Sequence, residues 1–160
     1  RDLPPAIRRQ RQMCIRDSDR INKLKGSDSK KPLIHLMNSL EMVERYVKKI
    51  PDFAKEYLND KSPTTVIFSN LNKEKLDYET LGIRIPKNNF CLEIIKKLNR
   101  PITSTSANIT GSTFPIKNTD IDKNIIDGVD YYVESIRSDK QIPSKIIKVL
   151  NENNFEIIRS

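Results

Sequence analysis

Apolar positions along this chain change period several times, and each change marks an element. Ile21 and Leu24 lie three apart ahead of Gly26, so residues 20–25 read as the end of a helix, with Gly26 able to take the left-handed cap. Pro32 to Met37 is an apolar run of strand length. Ser39 can cap the helix that follows, where Leu40, Val43, Val47 and Ile50 recur at helical spacing until Pro51 stops it. Phe53, Ala54, Tyr57 and Leu58 predict a second short helix. Thr64 to Phe68 is β-branched and aromatic and reads as a strand, and residues 69–78 read as a polar connection.

Leu81-Gly82-Ile83-Arg84-Ile85-Pro86 alternates and ends in proline, which predicts a strand whose Arg84 faces away from Ile83 and Ile85. Asn88 or Asn89 can cap a helix through Arg100, with Phe90, Cys91, Ile94, Ile95 and Leu98 as its apolar stripe and Cys91 buried. A strand from Pro101 then runs into a polar loop ending at Gly111. A short acidic helix at residues 119–127 precedes three β-like runs, Tyr131 to Val133, Lys145 to Val149 and Phe155 to Ile158. Strands interleaved with helices predict an α/β or mixed sheet.

Composition narrows the class without choosing a function. A hydrophobic fraction of 36% over 160 residues suits one domain with one modest core. No apolar stretch is long enough for a bilayer and no signal-peptide pattern occurs, so the expectation is a cytoplasmic protein with no membrane partner. Cys14 and Cys91 stand far apart with no CxxC, which argues against a disulfide framework and a zinc site. The net charge of +8 invites a nucleic-acid reading. Residues 1–18, however, hold five Arg and two Asp, a net +3, which leaves 8 − 3 = +5 for the rest. That segment has no helical or strand period. Met13-Cys14-Ile15-Arg16-Asp17-Ser18 resembles the in-frame translation of a transposon-end adaptor used in DNA library preparation. The expectation is therefore a non-native segment over 1–18 followed by a domain over 19–160, the alternative being a basic nucleic-acid-binding arm.

The candidate chemistry lies in three places. Ser104 to Ser112, STSANITGS, crowds hydroxyls and an amide around a glycine just after a strand, a composition that suits phosphate and equally an ordinary Ser/Thr-rich turn. Lys25, Lys30 and Lys31 flank another polar loop and are either phosphate-directed charges or a solvated basic loop. Arg84 either lies on a wet face or binds a carboxylate or phosphate bidentately. His35 has no partner motif and reads as a strand residue without a catalytic role. GxGxxG, GxxxxGK[ST] and HExxH patterns do not occur.

Taken in order over residues 20–160, these pieces resemble the threonylcarbamoyl-AMP synthase family, the YrdC-like proteins. The carriers are Lys25-Gly26-Ser27 with Lys31-Pro32-Leu33, similar to the family's Lys-x-Arg and Lys-Pro-Leu, then Gly82, Arg84 and Pro86, and above all Thr105 through Gly111, with its Ser-x-Asn. Pro143-Ser144 and Arg159 match later positions, and Pro63 and Thr65 are what is left of a Trp-Pro-Gly-Pro segment. The resemblance implies an open, twisted mixed sheet with flanking helices. It also implies synthesis of threonylcarbamoyl-AMP from L-threonine, bicarbonate and ATP with Mg2+, the product passing to a separate threonylcarbamoyl transferase acting on tRNA. It places Lys25, Ser106 and Asn108 in catalysis, those three with Ser144 and Arg159 at the nucleotide, Arg84 at the threonine carboxylate, and no metal site made by the protein.

Two further departures bear on this. Ser27 stands where the family has Arg, removing a bidentate phosphate donor unless Lys30 or Lys31 compensates. The family's N-terminal strand and its Pro-Thr-[Asp/Glu]-Thr-x-Tyr-Gly-Leu segment have no counterpart, so the expectation is a truncated copy of an active parent, with its own activity left open between active and inactive. The alternative is a non-catalytic double-stranded RNA or tRNA-binding module of the same fold; a third reading is a domain of a hydrogenase-maturation carbamoyltransferase.

Overall fold

The computed structural model describes residues 18–27, 33–73, 78–133 and 144–160. Residues 1–17, Lys30, Lys31, Pro32 and Pro143, which entered the sequence reading, lie outside that set. The chain forms two compact bodies, one of Pro32–Ser104 with Pro143–Ser160, the other of Arg1–Lys31 with Thr105–Ile142.

The first body is a six-stranded mixed sheet with helices. Its elements are β1 (Ile34–Leu36), α2 (Leu40–Glu44), α3 (Asp52–Asn59), β2 (Thr64–Phe68), β3 (Leu81–Arg84), α4 (Asn89–Leu98), β4 (Ile102–Ser104), β5 (Lys145–Val149) and β6 (Phe155–Arg159). The strand order is β4-β1-β3-β2-β5-β6. β1 runs parallel to β3 and β2 parallel to β5, while the other pairs are antiparallel. The predicted α/β class with an open mixed sheet is the one observed.

Register assigns the two faces. Ile83 pairs with His35 and Val66, Val66 with Ile147, and Ile147 with Ile157. Ile83, Val66 and Ile147 are all 0% exposed and join Met37, Val43, Leu58 and Phe68 in the core. The neighbouring row, pointing to the opposite face, holds Leu36, Arg84, Thr65, Ile146 and Arg159. Leu36 pairs with Arg84, Thr65 with Ile146 and Ile146 with Arg159; continuing Val66↔Ile83 by one residue sets Thr65 beside Arg84. Between Ile146 and Ile147 the register slips, so one step along β5 meets two along β6. Such a bulge re-aims a side chain, here bringing Arg159 rather than Ile158 opposite Ile146.

Several local expectations change. The helix expected to reach Pro51 ends at Glu44, because residues 46–49 trade helical bonds for contacts with 70–72. Val47 bridges Leu71, Lys48 N–H donates to the Asn70 carbonyl at 3.0 Å and Asn72 N–H to Tyr46 at 2.8 Å. The exchange still buries Tyr46, Val47 and Ile50, and it buries Leu71 within the connection read as polar. In α4, capped by Asn88 and closed by Asn99 in the left-handed region, Ile95 is buried, Cys91 is only half-buried, and Phe90 and Leu98 are exposed. The stripe is thus narrower than its spacing suggests.

The second body holds α1 (helical over residues 18–24), the loop from Thr105, a 3-10 turn Asn118–Asp120 and α5 (Lys123–Gly128). The acidic helix expected over 119–127 is therefore split, since Asp122 restarts it as an N-cap, accepting from Asn124 N–H at 2.8 Å. Tyr131 to Val133 forms no strand, and Tyr131 is 82% exposed. β propensity describes fit to a neighbouring strand, and none is present beside this run among the described residues. No helix among them is long and apolar enough to cross a membrane.

Candidate functional site

In the loop-bearing body, α1 closes with a Schellman motif. Gly26 adopts φ +60°, its N–H donates to the Lys23 carbonyl at 3.1 Å, and Ser27 N–H reaches the Asn22 carbonyl at 2.9 Å. This geometry fixes Lys25 at the helix end. Its carbonyl accepts from Thr110 N–H at 2.9 Å, tying helix to loop. Its Nζ donates to the Ser106 carbonyl at 2.6 Å and the Asn108 carbonyl at 2.7 Å, with Ser106 Oγ at 3.5 Å and Asn108 Oδ1 at 3.4 Å.

The loop is shaped to reach that ammonium. Ser112 N–H bonds the Ile109 carbonyl at 3.0 Å across a turn whose third residue, Gly111, has φ +89°, the type II requirement for glycine. Asn108 Nδ2 donates to the Ser112 carbonyl at 2.8 Å, which orients its amide and leaves Oδ1 toward Lys25. Lys25 and, more than 80 residues later in sequence, Ser106 and Asn108 thus form one hydrogen-bonded cluster. Its short bonds are to backbone oxygens. The two longer ones, to side-chain oxygens, are those that an anionic oxygen could replace, and the Ser106 side is exposed. Ser27 is occupied as the closing residue of the helix cap.

In the sheet body a second group forms on the sheet face opposite Ile83 and Val66. Arg84 is half-buried at the end of β3, and its Nε is buried with no hydrogen-bond partner among the described residues. Burial pushes its pKa down, Cys91 opposes that shift, and the charge of Arg159 adds to it. A guanidinium so placed favours an anion that can satisfy its donors. Arg159 donates from Nε and Nη2 to the Ser144 carbonyl at 2.9 and 2.6 Å, and from Nη2 to Ser144 Oγ at 3.2 Å. Ser144 Oγ also lies 3.1 Å from Thr65 Oγ1, both residues being buried.

The six residues singled out from the sequence therefore fall into two sets, Lys25 with Ser106 and Asn108, and Arg84 with Ser144 and Arg159. Thr65 and Cys91 join the second set, although by sequence Thr65 is marked only as a matched strand position and Cys91 only as a buried helix residue. Thr65 carries one readable signal, a hydroxyl that it shares with Thr64 in a strand whose other residues are apolar. Nothing local announces the approach of Cys91 to Arg84.

A family model described as "Telomere recombination" and named for Sua5, YciO and YrdC matches residues 14–160. A Methanocaldococcus jannaschii protein carrying the proposed name threonylcarbamoyl-AMP synthase is 29% identical over 143 residues, covering 86% of this chain and 67% of that protein. Among solved structures, P. abyssi Sua5 complexed with L-threonine superposes with a TM-score of 0.73 at 22% identity, over 88% of this chain and 43% of that one. Full-length HypF in its phosphate- and nucleotide-bound form gives a TM-score of 0.71 at 20% identity, over 89% and 23%. The chain spans about two thirds of that curated relative and less than half of either solved chain. At these identities the structural likeness is one of fold.

Proposed function

This chain belongs to the Sua5/YciO/YrdC family, and on that premise we propose that it is the nucleotide-handling part of an L-threonylcarbamoyladenylate synthase serving tRNA modification. The observation that carries the reading is the convergence of Lys25 on Ser106 and Asn108. The name of the M. jannaschii relative, the L-threonine bound to P. abyssi Sua5 and the nucleotide bound to HypF support it.

In this reading the amine of L-threonine and bicarbonate combine, with loss of water, to give a carbamate. A carbamate oxygen attacks the α-phosphorus of ATP, the bond from that phosphorus to the bridging oxygen breaks, and pyrophosphate leaves. Such a displacement needs little covalent help from the protein, so placing charge and donors does most of the catalysis. Lys25 gives up its longer contacts and donates to phosphate oxygens, while Ser106 Oγ and the Asn108 amide orient the nucleotide. Arg84, whose Nε has no partner among the described residues, takes the threonine carboxylate, and Arg159, held by Ser144, lies against the nucleotide. Mg2+ travelling with ATP would offset part of the triphosphate charge. The product goes to a threonylcarbamoyl transferase acting on tRNA.

The test is threonine- and bicarbonate-dependent release of pyrophosphate from ATP by the full product of the gene. Ser106→Ala and Asn108→Ala should each lower the rate at least tenfold, the scale of a lost charge-assisted contact. Unchanged rates would remove these residues from the site. Salt-sensitive binding of double-stranded RNA, indifferent to ATP with threonine, would support the non-catalytic alternative.

A further inference from the structure

We propose that Thr65 is a positioning residue for Arg159, acting through Ser144, an inference that rests on the nucleotide role of Arg159 given above. Thr65 is 1% and Ser144 4% exposed, so their hydroxyls are shielded from water and their 3.1 Å contact is the hydrogen bond recorded between them. Ser144 stands at the entry to β5, and Arg159 reaches it from β6 across the bulge.

A guanidinium has donors and no acceptor, so Ser144 must turn oxygen lone pairs toward it from both its carbonyl and its Oγ. Without a second partner that hydroxyl would be held by Arg159 Nη2 alone. Thr65, on the neighbouring strand β2 and pairing with Ile146, supplies that second partner whichever oxygen donates. Thr65 also suits the task because a β-branched residue in a strand is stiff at χ1. The resulting line, Thr65 to Ser144 to Arg159, crosses three strands. It spends one edge of the guanidinium, Nε and Nη2, on Ser144 and fixes the direction of the remaining edge. Touching neither substrate in this arrangement, Thr65 would act on affinity for the nucleotide alone.

The experiment measures Mg-ATP affinity of the whole chain by calorimetry, together with hydrogen exchange at Arg159 Nε–H by NMR. Thr65→Val keeps the shape and strand preference but removes the hydroxyl. It should weaken ATP binding about tenfold, near the upper end for one net hydrogen bond, and speed Nε–H exchange by a similar factor. Thr65→Ser, which restores the hydroxyl without the methyl, should return both toward the original values. In a Ser144→Ala background, Thr65→Val should have no further effect, because the line is already cut.

Equal effects of Thr65→Val with and without Ser144, or failure of Thr65→Ser to rescue, would overturn the proposal. If the original chain binds no ATP, the nucleotide role of Arg159 fails separately. Arg159 exchange then decides: acceleration in Thr65→Val with rescue by Ser upholds the positioning role, and identical rates overturn it.

Discussion

The sheet body and the loop-bearing body are built from opposite materials. In the sheet body, Phe68, Ile83, Ile147 and Val66 are fully buried, helices cover them, and the hydrophobic effect carries stability. In the other, only Pro115 and Ile125 are buried among the described residues, while Phe114, Ile116, Tyr131 and Val133 are exposed. Hydrogen bonds do the shaping there: the Schellman cap at Gly26, the Lys25 cluster, the turn at Gly111, and a two-pronged Arg20–Asp130 pair at 2.6 and 2.8 Å. Close packing appears at Gly128, where an added Cβ would lie 2.2 Å from Leu24 Cδ1. Each body holds half of the proposed site residues. One offers a lysine enclosed by a polar loop, the other arginines on a sheet, so the proposed anion contacts would rest on two mechanical supports.

The largest effect should come from the core. Phe68→Ala should cost about 3–5 kcal/mol in denaturant unfolding, since the cavity adds to the lost transfer energy. A cost below about 1 kcal/mol would mean that the sheet body is not held as described.

Lys25→Met tests the opposite support. The global unfolding midpoint should hold, exchange at residues 106–112 should quicken, and ATP affinity should fall about tenfold or more. Loss of global stability with unaltered loop exchange would reverse the comparison.

The smallest effect is pH-dependent and belongs to the sheet body. His35 lies in β1 against Tyr78, its Nδ1 buried without a partner among the described residues. Burial holds its pKa below the ordinary 6.5, an effect opposed by the Leu33 backbone. The unfolded chain therefore binds the proton more readily, and stability should fall as pH drops below about 6.5, by no more than about 1.4 kcal/mol per pH unit for one proton. Unfolding curves at several pH values should show this slope, and His35→Leu should remove it.

Much of the sheet body was legible because its signals are periodic. Strands β2, β3 and β5 and helices α3 and α4 fall where β-branched runs, alternation and 3.6-residue spacing put them. Misreadings arose where distant partners competed with local preference. Helix α2 yields its last turns to Leu71 and Asn70, and Tyr131 to Val133 lacks a neighbouring strand. At the candidate site, Ser106 and Asn108 stood out through a resemblance, while their bonds to Lys25 span more than 80 residues and leave no mark on local pattern.

The sequence by itself determined what depends on neighbours within a few residues. That includes the left-handed glycines at Gly26 and Gly111, the caps at Ser39 and Asn88, and the alternation that turns Arg84 away from Ile83. Only the tertiary structure decided which strands lie side by side, the bulge opposite Ile146, and hence the alignment of Arg84, Thr65 and Arg159 in one row. Backbone hydrogen bonds are chemically alike whichever strands form them, so order and register come from the packing of whole faces, and the meeting of these residues follows from that packing.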